Sequence, residues 1–333
     1  MSNSIPQRPL GSSLVPAIGF GVMGISGGYG AIENDEERLK VLDAAYASGC
    51  TFWDTANIYG DSEELIGKWL AKNPEKRPHI FLATKFGIQF DGPVRGDPEY
   101  VRECFEKSLK RLGVDYVDLY YQHRVDPKTP IEITIGAMAD LVKAGKVKHL
   151  GLSDCTAKGL ERAHSVHPIT ALQVEYSPLF RPPQDLLTKA KALGVKIVAY
   201  SPLGRGVLTG QIKSVDDFEE GDFRRFIPKF SNENFPKILA LVNKIGEVGK
   251  KHNATPGQTT LAWILSQGEE FFAIPGTKKV KYMKENVGAG SVKLTPEEVA
   301  EITKAADEAG AGIPGDMYGE GWIDLVYVES PSL

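Results

Sequence analysis

The chain has 333 residues, 42% hydrophobic and 25% charged, an ordinary globular profile that can bury a full core without disulfides or structural metal. Its net charge of -4, from 39 basic and 43 acidic side chains, gives no electrostatic ground for a nucleic acid or an anionic membrane as partner. Three widely spaced cysteines, Cys50, Cys104 and Cys155, with no CxxC among them, argue against a disulfide framework or a zinc site.

Short apolar runs at 18–22, 51–54, 80–84, 117–122, 147–152, 171–174, 196–200 and 271–274 read as strands. Near-continuous apolarity is what a parallel strand covered on both faces requires. Between them lie helical patterns at 35–47, 62–72, 98–112, 130–144, 157–165, 183–193 and 235–249. Pro98 and Pro130 stand where a first helical turn tolerates proline. Gly49, Gly113, Gly145 and Gly194 each follow the last periodic residue and precede the next strand, the place of a left-handed C-terminal cap.

This alternation leaves a closed barrel or an open doubly wound sheet. The count of eight strands favours the barrel. So do the polar residues that follow strands throughout the chain: Asp54, Lys85, His123, Ser153, Glu175 and Ser201. A barrel gathers all those ends on one face, whereas an open sheet concentrates its site in one crevice. Residues 1–333 are therefore expected to form one α/β barrel domain. Two stretches break the rhythm. Residues 203–234 hold Gly204-Arg205-Gly206 and the basic run Phe223-Arg224-Arg225-Phe226, and a loop that long is usually functional. Residues 310–333 are Gly-rich and aromatic, with Tyr318, Trp322 and Tyr327, and either cover the barrel mouth or fray.

The chemistry begins at Thr51-Phe-Trp-Asp-Thr-Ala-Asn-Ile-Tyr-Gly60. Asp54 ends one strand and Tyr59 follows in the loop; Lys85 ends the next strand and His123 the one after. Each residue type has a task in reducing a carbonyl. Hydride attack leaves an alkoxide that needs a proton, and an unperturbed tyrosine, at a pKa of ~10, gives one up poorly near neutrality. A neighbouring ammonium stabilises the phenolate, a carboxylate keeps a buried lysine charged, and a neutral histidine orients the carbonyl oxygen. Taken singly, Asp54 reads as a helix cap, Tyr59 as a rim aromatic and His123 as a core histidine; a lysine within an apolar strand needs a partner.

With these residues and several further motifs, the chain resembles the aldo-keto reductase family over nearly its whole length. The matching motifs are Gly19-Phe-Gly-Val-Met23, Asp54-Thr-Ala-Asn-Ile-Tyr59, Ala83-Thr-Lys85, Gly151-Leu-Ser153, Gln173-Val-Glu-Tyr176, Tyr200-Ser-Pro-Leu-Gly-Arg-Gly206, and Ile274-Pro-Gly-Thr-Lys278 followed by Glu285-Asn286. Their spacing is similar to that of fungal and plant aldehyde reductases, including pyridoxal-reductase-like members. The resemblance implies a (β/α)8 TIM barrel with an N-terminal β-hairpin, a lid loop at 203–234 and a C-terminal tail over the mouth. It implies an NADPH-dependent reductase with an ordered mechanism. Tyr59 would be the acid, Asp54 and Lys85 would tune it, and His123 would orient the carbonyl.

The cofactor residues follow from the same resemblance. The family holds its nicotinamide with a Ser-Asn pair, a Gln and a stacking aromatic. Ser153, Gln173 and Tyr200 correspond, while Asp154 replaces the Asn and, when ionised, has no hydrogen to donate. In a barrel, Gly19 and Gly21 would line the mouth, Gly21 among the cofactor residues, with Met23 near the nicotinamide. Ser201, Pro202, Leu203, Gly204, Arg205 and Gly206 would lie along the pyrophosphate, where small residues admit backbone N–H groups. Ile274, Gly276, Thr277 and Lys278 lead into a helix whose N-terminus suits the 2′-phosphate, and Glu285 and Asn286 would hold the adenine. An Arg frequent in the family four residues before that Asn is Tyr282 here. Tyr29, Trp53, Phe86 and Phe90 are expected to line an apolar substrate pocket for aromatic or mid-sized aldehydes.

Other signals are weaker. Gly19 to Gly24 spells GxGxxG, but loop chemistry follows where a Rossmann fingerprint needs a helix. His164 and His167 lack companions for a metal site. The N-terminus lacks a secretory leader and no apolar run reaches the ~18 residues of a membrane span, so a cytoplasmic location is expected. The default is a monomer or weak homo-oligomer acting on a small carbonyl compound. The alternative is a cofactor-binding regulatory subunit resembling potassium-channel β subunits, although no long N-terminal extension is seen here.

Overall fold

The computed structural model describes residues 5–319 and 321–333. Strands β1 (Gln7–Leu10) and β2 (Ser13–Pro16) form an antiparallel hairpin, turned at Gly11 with φ of 61°. Eight parallel strands follow: β3 (Phe20–Gly21), β4 (Phe52–Asp54), β5 (Phe81–Phe86), β6 (Val117–Gln122), β7 (Val147–Ser153), β8 (Ile169–Glu175), β9 (Lys196–Tyr200) and β10 (Phe271–Ala273). Each pairs with its neighbour in chain order, and a parallel bridge between Ile18 and Ala273 brings the first to the last. The expected barrel is what forms. Its helices are α1 (Asp35–Ala47), α2 (Ser62–Lys72), α3 (Pro98–Leu112), α4 (Ile131–Lys143), α5 (Ala157–Val166), α6 (Gln184–Ala192), α7 (Phe235–Lys251), α8 (Pro256–Leu265), α9 (Val280–Gly288) and α10 (Pro296–Gly312).

Local chemistry sets the helix ends. Gly49, Gly113, Gly145 and Gly194 all take φ between 64° and 75°, the left-handed caps expected of them. Asn34, Asp97, Thr156, Thr255 and Thr295 accept backbone N–H groups at helix starts. Pro98 opens α3 as expected, whereas Pro130 sits one residue before α4.

Strand alternation divides the core in two. Phe52, Phe81, Ala83, Leu119, Tyr121, Ala171, Val198 and Phe272 point into the barrel, and Leu10 and Val15 of the hairpin join them. Trp53, Leu82, Phe86 and Tyr120 point outward into the larger layer between strands and helices. The expectation of a substrate pocket around Trp53, Phe86 and Phe90 is therefore corrected. Trp53 is fully buried against Trp69 and donates to the Cys50 carbonyl at 2.8 Å. Phe86 is fully buried and stacks on Tyr120, with ring centroids 5.0 Å apart. Phe90 stands 78% exposed in its loop, outside the cleft described below.

The two arms of the GxGxxG motif serve barrel closure. Gly19 N–H donates to Ala273 O at 2.8 Å, and Ala273 N–H to Ala17 O at 2.9 Å. A Cβ on Gly19 would stand 2.7 Å from the Phe52 carbonyl oxygen, and one on Gly21 would stand 2.7 Å from that of Ile274. A short 3-10 turn, Val22–Ile25, follows in place of an α-helix. Gly19→Ala is expected to destabilise the fold by about 1–3 kcal/mol through overpacking against backbone that cannot retreat. A melting temperature equal to that of the parent would mean that the seam has room.

The tail beyond α10 is anchored over the mouth. Tyr327 N–H donates to Asp154 O at 2.8 Å, Ile131 N–H to Ser330 Oγ at 3.1 Å, and Arg162 to the Ser330 and Pro331 carbonyls. The loop 203–234 folds as a chain of 3-10 turns, with Phe218 and Phe230 buried. No described helix is long and apolar enough to cross a membrane. All three cysteines are buried free thiols.

Candidate active site

β4, the loop after it, β5 and the residue after β6 bring Asp54, Tyr59, Lys85 and His123 together at one end of the barrel. Asp54 and Lys85 alternate in phase with the inward residues Phe52 and Ala83, which is why both side chains enter the barrel. Lys85 is fully buried; its Nζ lies 2.5 Å from Asp54 Oδ1 and donates to Thr55 O at 2.8 Å. Gln173 Nε2 donates to the other Asp54 oxygen at 2.8 Å. The ammonium is 4.9 Å from the centre of the Tyr59 ring, and the Tyr59 hydroxyl is 3.2 Å from His123 Nε2.

Burial governs the electrostatics. It pushes the Asp54 carboxyl up, while Lys85 and then Gln173 pull it back. Burial also pulls the Lys85 ammonium down, but Asp54 and Tyr59 more than offset this, and it ends above its ordinary value. His123 falls well below the usual imidazole range through burial, then through Lys85 and Arg124, so it is neutral. The Tyr59 phenol corrects one expectation. Lys85 does pull it down, but burial is the larger effect, and the phenol lies above its ordinary value.

From this cluster a cleft of about 320 Å³ runs to the start of α9, a volume typical of small-molecule sites. Gly21, Met23, Tyr29, Asp54, Tyr59 and Gln173 line it, as do Tyr200, Ser201, Pro202, Leu203, Arg205 and Gly206. Ile274, Gly276, Thr277, Lys278, Glu285 and Asn286 line it as well. Ser201, Gly204, Arg205 and Gly206 all have φ between 47° and 99°. Left-handed residues set in a turn point N–H groups to one side and make anion-binding concavities. Gly204 itself turns from the cleft: its missing Cβ would face Leu208 at 3.1 Å. Arg205, expected to help at the pyrophosphate, is buried. It pairs with Glu175 at 3.0 Å and lies over the Tyr318 ring at 4.8 Å.

Ser153 and Asp154 sit behind this wall. Asp154 Oδ2 accepts from the Tyr200 hydroxyl at 2.8 Å and pairs with Arg124 Nη1 at 2.9 Å. Tyr318, from the tail, meets the Tyr200 hydroxyl. Lys278 donates to Tyr29 O, and to Ala31 O at 2.8 Å, holding the loop after β3 across the cleft. Glu219 accepts from Ala31 N–H at 3.1 Å, and Tyr29 packs on Phe223 at 5.3 Å, so the lid loop meets that loop. Tyr282, standing in place of an arginine, donates to Gln211 at 2.7 Å.

Sequence reasoning passed over Arg124, although it directly follows His123, and the lining residues Thr209, Gln211, Ile212 and Gly257. Arg224, noted only as part of a basic run, also lines the cleft and lies over the Tyr29 ring at 4.9 Å. A buried arginine beside His123 leaves one sequence signal: a charged residue just past a strand end. Among the described residues no group of His, Cys, Asp and Glu could hold a metal ion.

A profile of the Aldo/keto reductase family matches residues 17–307. The chain belongs to the aldo/keto reductase family. It is 64% identical to the aldo-keto reductase str7 of Strobilurus tenacellus, covering 99% of both chains. It is 46% identical to the aldo-keto reductase yakc [NADP(+)] of Schizosaccharomyces pombe, again over 99% of both. Among solved structures, the glycerol dehydrogenase AKR11B4 of Gluconobacter oxydans superposes with a TM-score of 0.82 at 27% identity, covering 96% of this chain and 99% of that one. The thermostable aldo-keto reductase Tm1743 gives 0.73 at 32% identity, over 90% of this chain and 99% of that one. As an aldo/keto reductase, the protein is an oxidoreductase whose barrel mouth carries the cleft and the Asp54–Lys85 pair.

Proposed function

We propose that the protein reduces an aldehyde or ketone to the alcohol with NADPH, and that Tyr59 supplies the proton. The observation that carries this reading is the Tyr59 hydroxyl, 3.2 Å from a neutral His123 at the edge of the cleft and facing the buried Lys85–Asp54 pair. A carbonyl oxygen seated between phenol and imidazole receives two hydrogen bonds that strengthen as negative charge develops on it. Lys85 stabilises the phenolate left behind, and Asp54 keeps Lys85 charged in a fully buried setting.

The cofactor fits the cleft on features of this chain. The cleft is lined by Asp54 and Tyr59 and also by Thr277 and Lys278, and a turn rich in left-handed residues contributes Ser201, Arg205 and Gly206 to the same lining. When bound, NADPH would supply the hydride. Gln173 in the cleft lining, backed by Ser153 and Asp154 behind the wall, would hold its nicotinamide end, and Thr277 and Lys278 its 2′-phosphate. The relative named for NADP(+) supports that choice. Tyr29, Arg224 and Tyr59 in the cleft lining favour a mid-sized, partly aromatic carbonyl substrate.

The test follows cofactor absorbance with a panel of aldehydes, with NADPH and NADH in parallel. Turnover with NADPH is expected to exceed that with NADH, and Lys278→Ala should raise KM for NADPH roughly 10- to 100-fold, the worth of a charge-assisted bond, with little effect on NADH. Equal use of both cofactors by the parent would remove the phosphate assignment. No turnover across the panel would remove the enzymatic reading.

A further inference from the structure

Lys85 stands on β5, between β4 and β6 in the sheet. On the β4 side, its ammonium donates to Asp54 Oδ1 at 2.5 Å and to Thr55 O at 2.8 Å. On the β6 side, its partner in register is Tyr121. That side chain is fully buried inside the barrel, and its ring centre lies 5.9 Å from Lys85 Nζ. The Tyr59 ring is at 4.9 Å, so two aromatic rings lie within the ~6 Å reach of a cation–π contact.

The fold makes room for the second ring. Gly151 is the register partner of Tyr121 on β7. A Cβ there would stand 2.4 Å from the Tyr121 ring carbons Cδ1 and Cε1. The ring therefore lies against the Gly151 backbone, in a slot that any side chain would close. Burial, and then Asp54, hold the Tyr121 phenol well above its ordinary range, so the ring stays neutral and keeps its negative face. Its hydroxyl is buried without a hydrogen-bond partner among the described residues. The oxygen makes no bond, and what Tyr121 presents to its neighbours is the ring.

A lysine head on a flexible four-carbon stem needs holding. Two hydrogen bonds to the end of β4 tether it from one side and leave its tilt open. A ring on the β6 side limits that tilt. An ammonium already in place stabilises a phenolate without reorganising as the charge appears.

Resting on the reading of Tyr59 as proton donor, we infer that Tyr121 is a positioning residue, whose ring holds the Lys85 ammonium from the β6 side and keeps it facing Tyr59.

The experiment replaces Tyr121 by Phe and then by increasingly fluorinated phenylalanines, which keep the shape of the ring while draining its negative face. Tyr121→Phe should keep kcat within about twofold of the parent and melt no lower, because the lost hydroxyl had no partner. Along the fluorinated series kcat should fall by roughly 2- to 30-fold, the worth of one cation–π contact, and the urea midpoint of the ligand-free protein should fall with it. In a background carrying Lys85→Met and Asp54→Asn, the midpoint should stop responding to fluorination, since no cation faces the ring. Tyr121→Met fills the space without a π face and should lose as much kcat as the most fluorinated ring. A ring that only packed would give a flat series. A flat kcat series, a midpoint that falls equally without Lys85, or a loss in Tyr121→Phe as large as in Tyr121→Met would overturn the inference. If Tyr121→Met does not fold, the fluorinated series decides alone. A parent without carbonyl turnover would overturn the Tyr59 reading and the inference with it, whatever the midpoints show.

Discussion

Replacing Tyr59 by Phe is expected to lower kcat for carbonyl reduction by roughly 100- to 10,000-fold, the usual worth of a positioned general acid. The substitution removes one oxygen and leaves a ring of the same shape between Lys85 and His123, so binding of cofactor should change little. The barrel should melt as before, because the hydroxyl makes one hydrogen bond, to His123. Single-turnover rates with saturating NADPH are the measurement, and an unchanged rate would mean that the proton comes from elsewhere. The pH profile should carry the same signature. Burial holds the phenol above its ordinary value, so reduction should persist through neutrality and decline only where Tyr59 loses its proton, on the alkaline side. His123 titrates well below the usual imidazole range and should leave no limb near neutral pH.

Lys85→Met should harm both rate and stability. Removing the ammonium strands the Asp54 carboxylate inside the barrel, a loss of about 3–5 kcal/mol for breaking one side of a buried pair. Only Gln173 would still donate to that carboxylate. Urea unfolding should therefore show a lower midpoint, and kcat should fall because nothing stabilises the phenolate. Adding Asp54→Asn separates the two effects. The double variant should recover much of the stability, since no lone charge remains, while activity stays low. Recovery of both would assign the lysine a purely structural place, and an unchanged midpoint in Lys85→Met would contradict the buried-pair argument.

Much of the architecture was legible because parallel barrels repeat one local rule. β6 and β9 fall where their apolar runs end, and α1, α2 and α3 begin and end as their periodicity predicts. Helix α8 escaped notice because eight of its ten residues are buried, which erases the amphipathic pattern. Helix α10 had a readable start in the capping box of Thr295 and Glu298. The set of Asp54, Tyr59, Lys85 and His123 was legible because charge inside an apolar strand demands a partner. The substrate pocket was misread for want of parity. Once Asp54 faces inward, Trp53 must face outward, and Lys85 fixes Phe86 in the same way. The Arg124–Asp154 pair lay hidden because nothing in linear spacing says that two adjacent strand ends will share a salt bridge.

The bridge between Ile18 and Ala273 has a consequence for how the chain reaches this state. The first barrel strand can find its outer neighbour only after the last has been made, so the seam is the most non-local contact of the sheet and closes late, at the entropic disadvantage of a very large loop. Until then β3 and β10 both expose unpaired backbone, the kind of edge that recruits strands from other molecules. Refolding yield should fall with protein concentration, and destabilising the seam should promote aggregation before it alters catalysis.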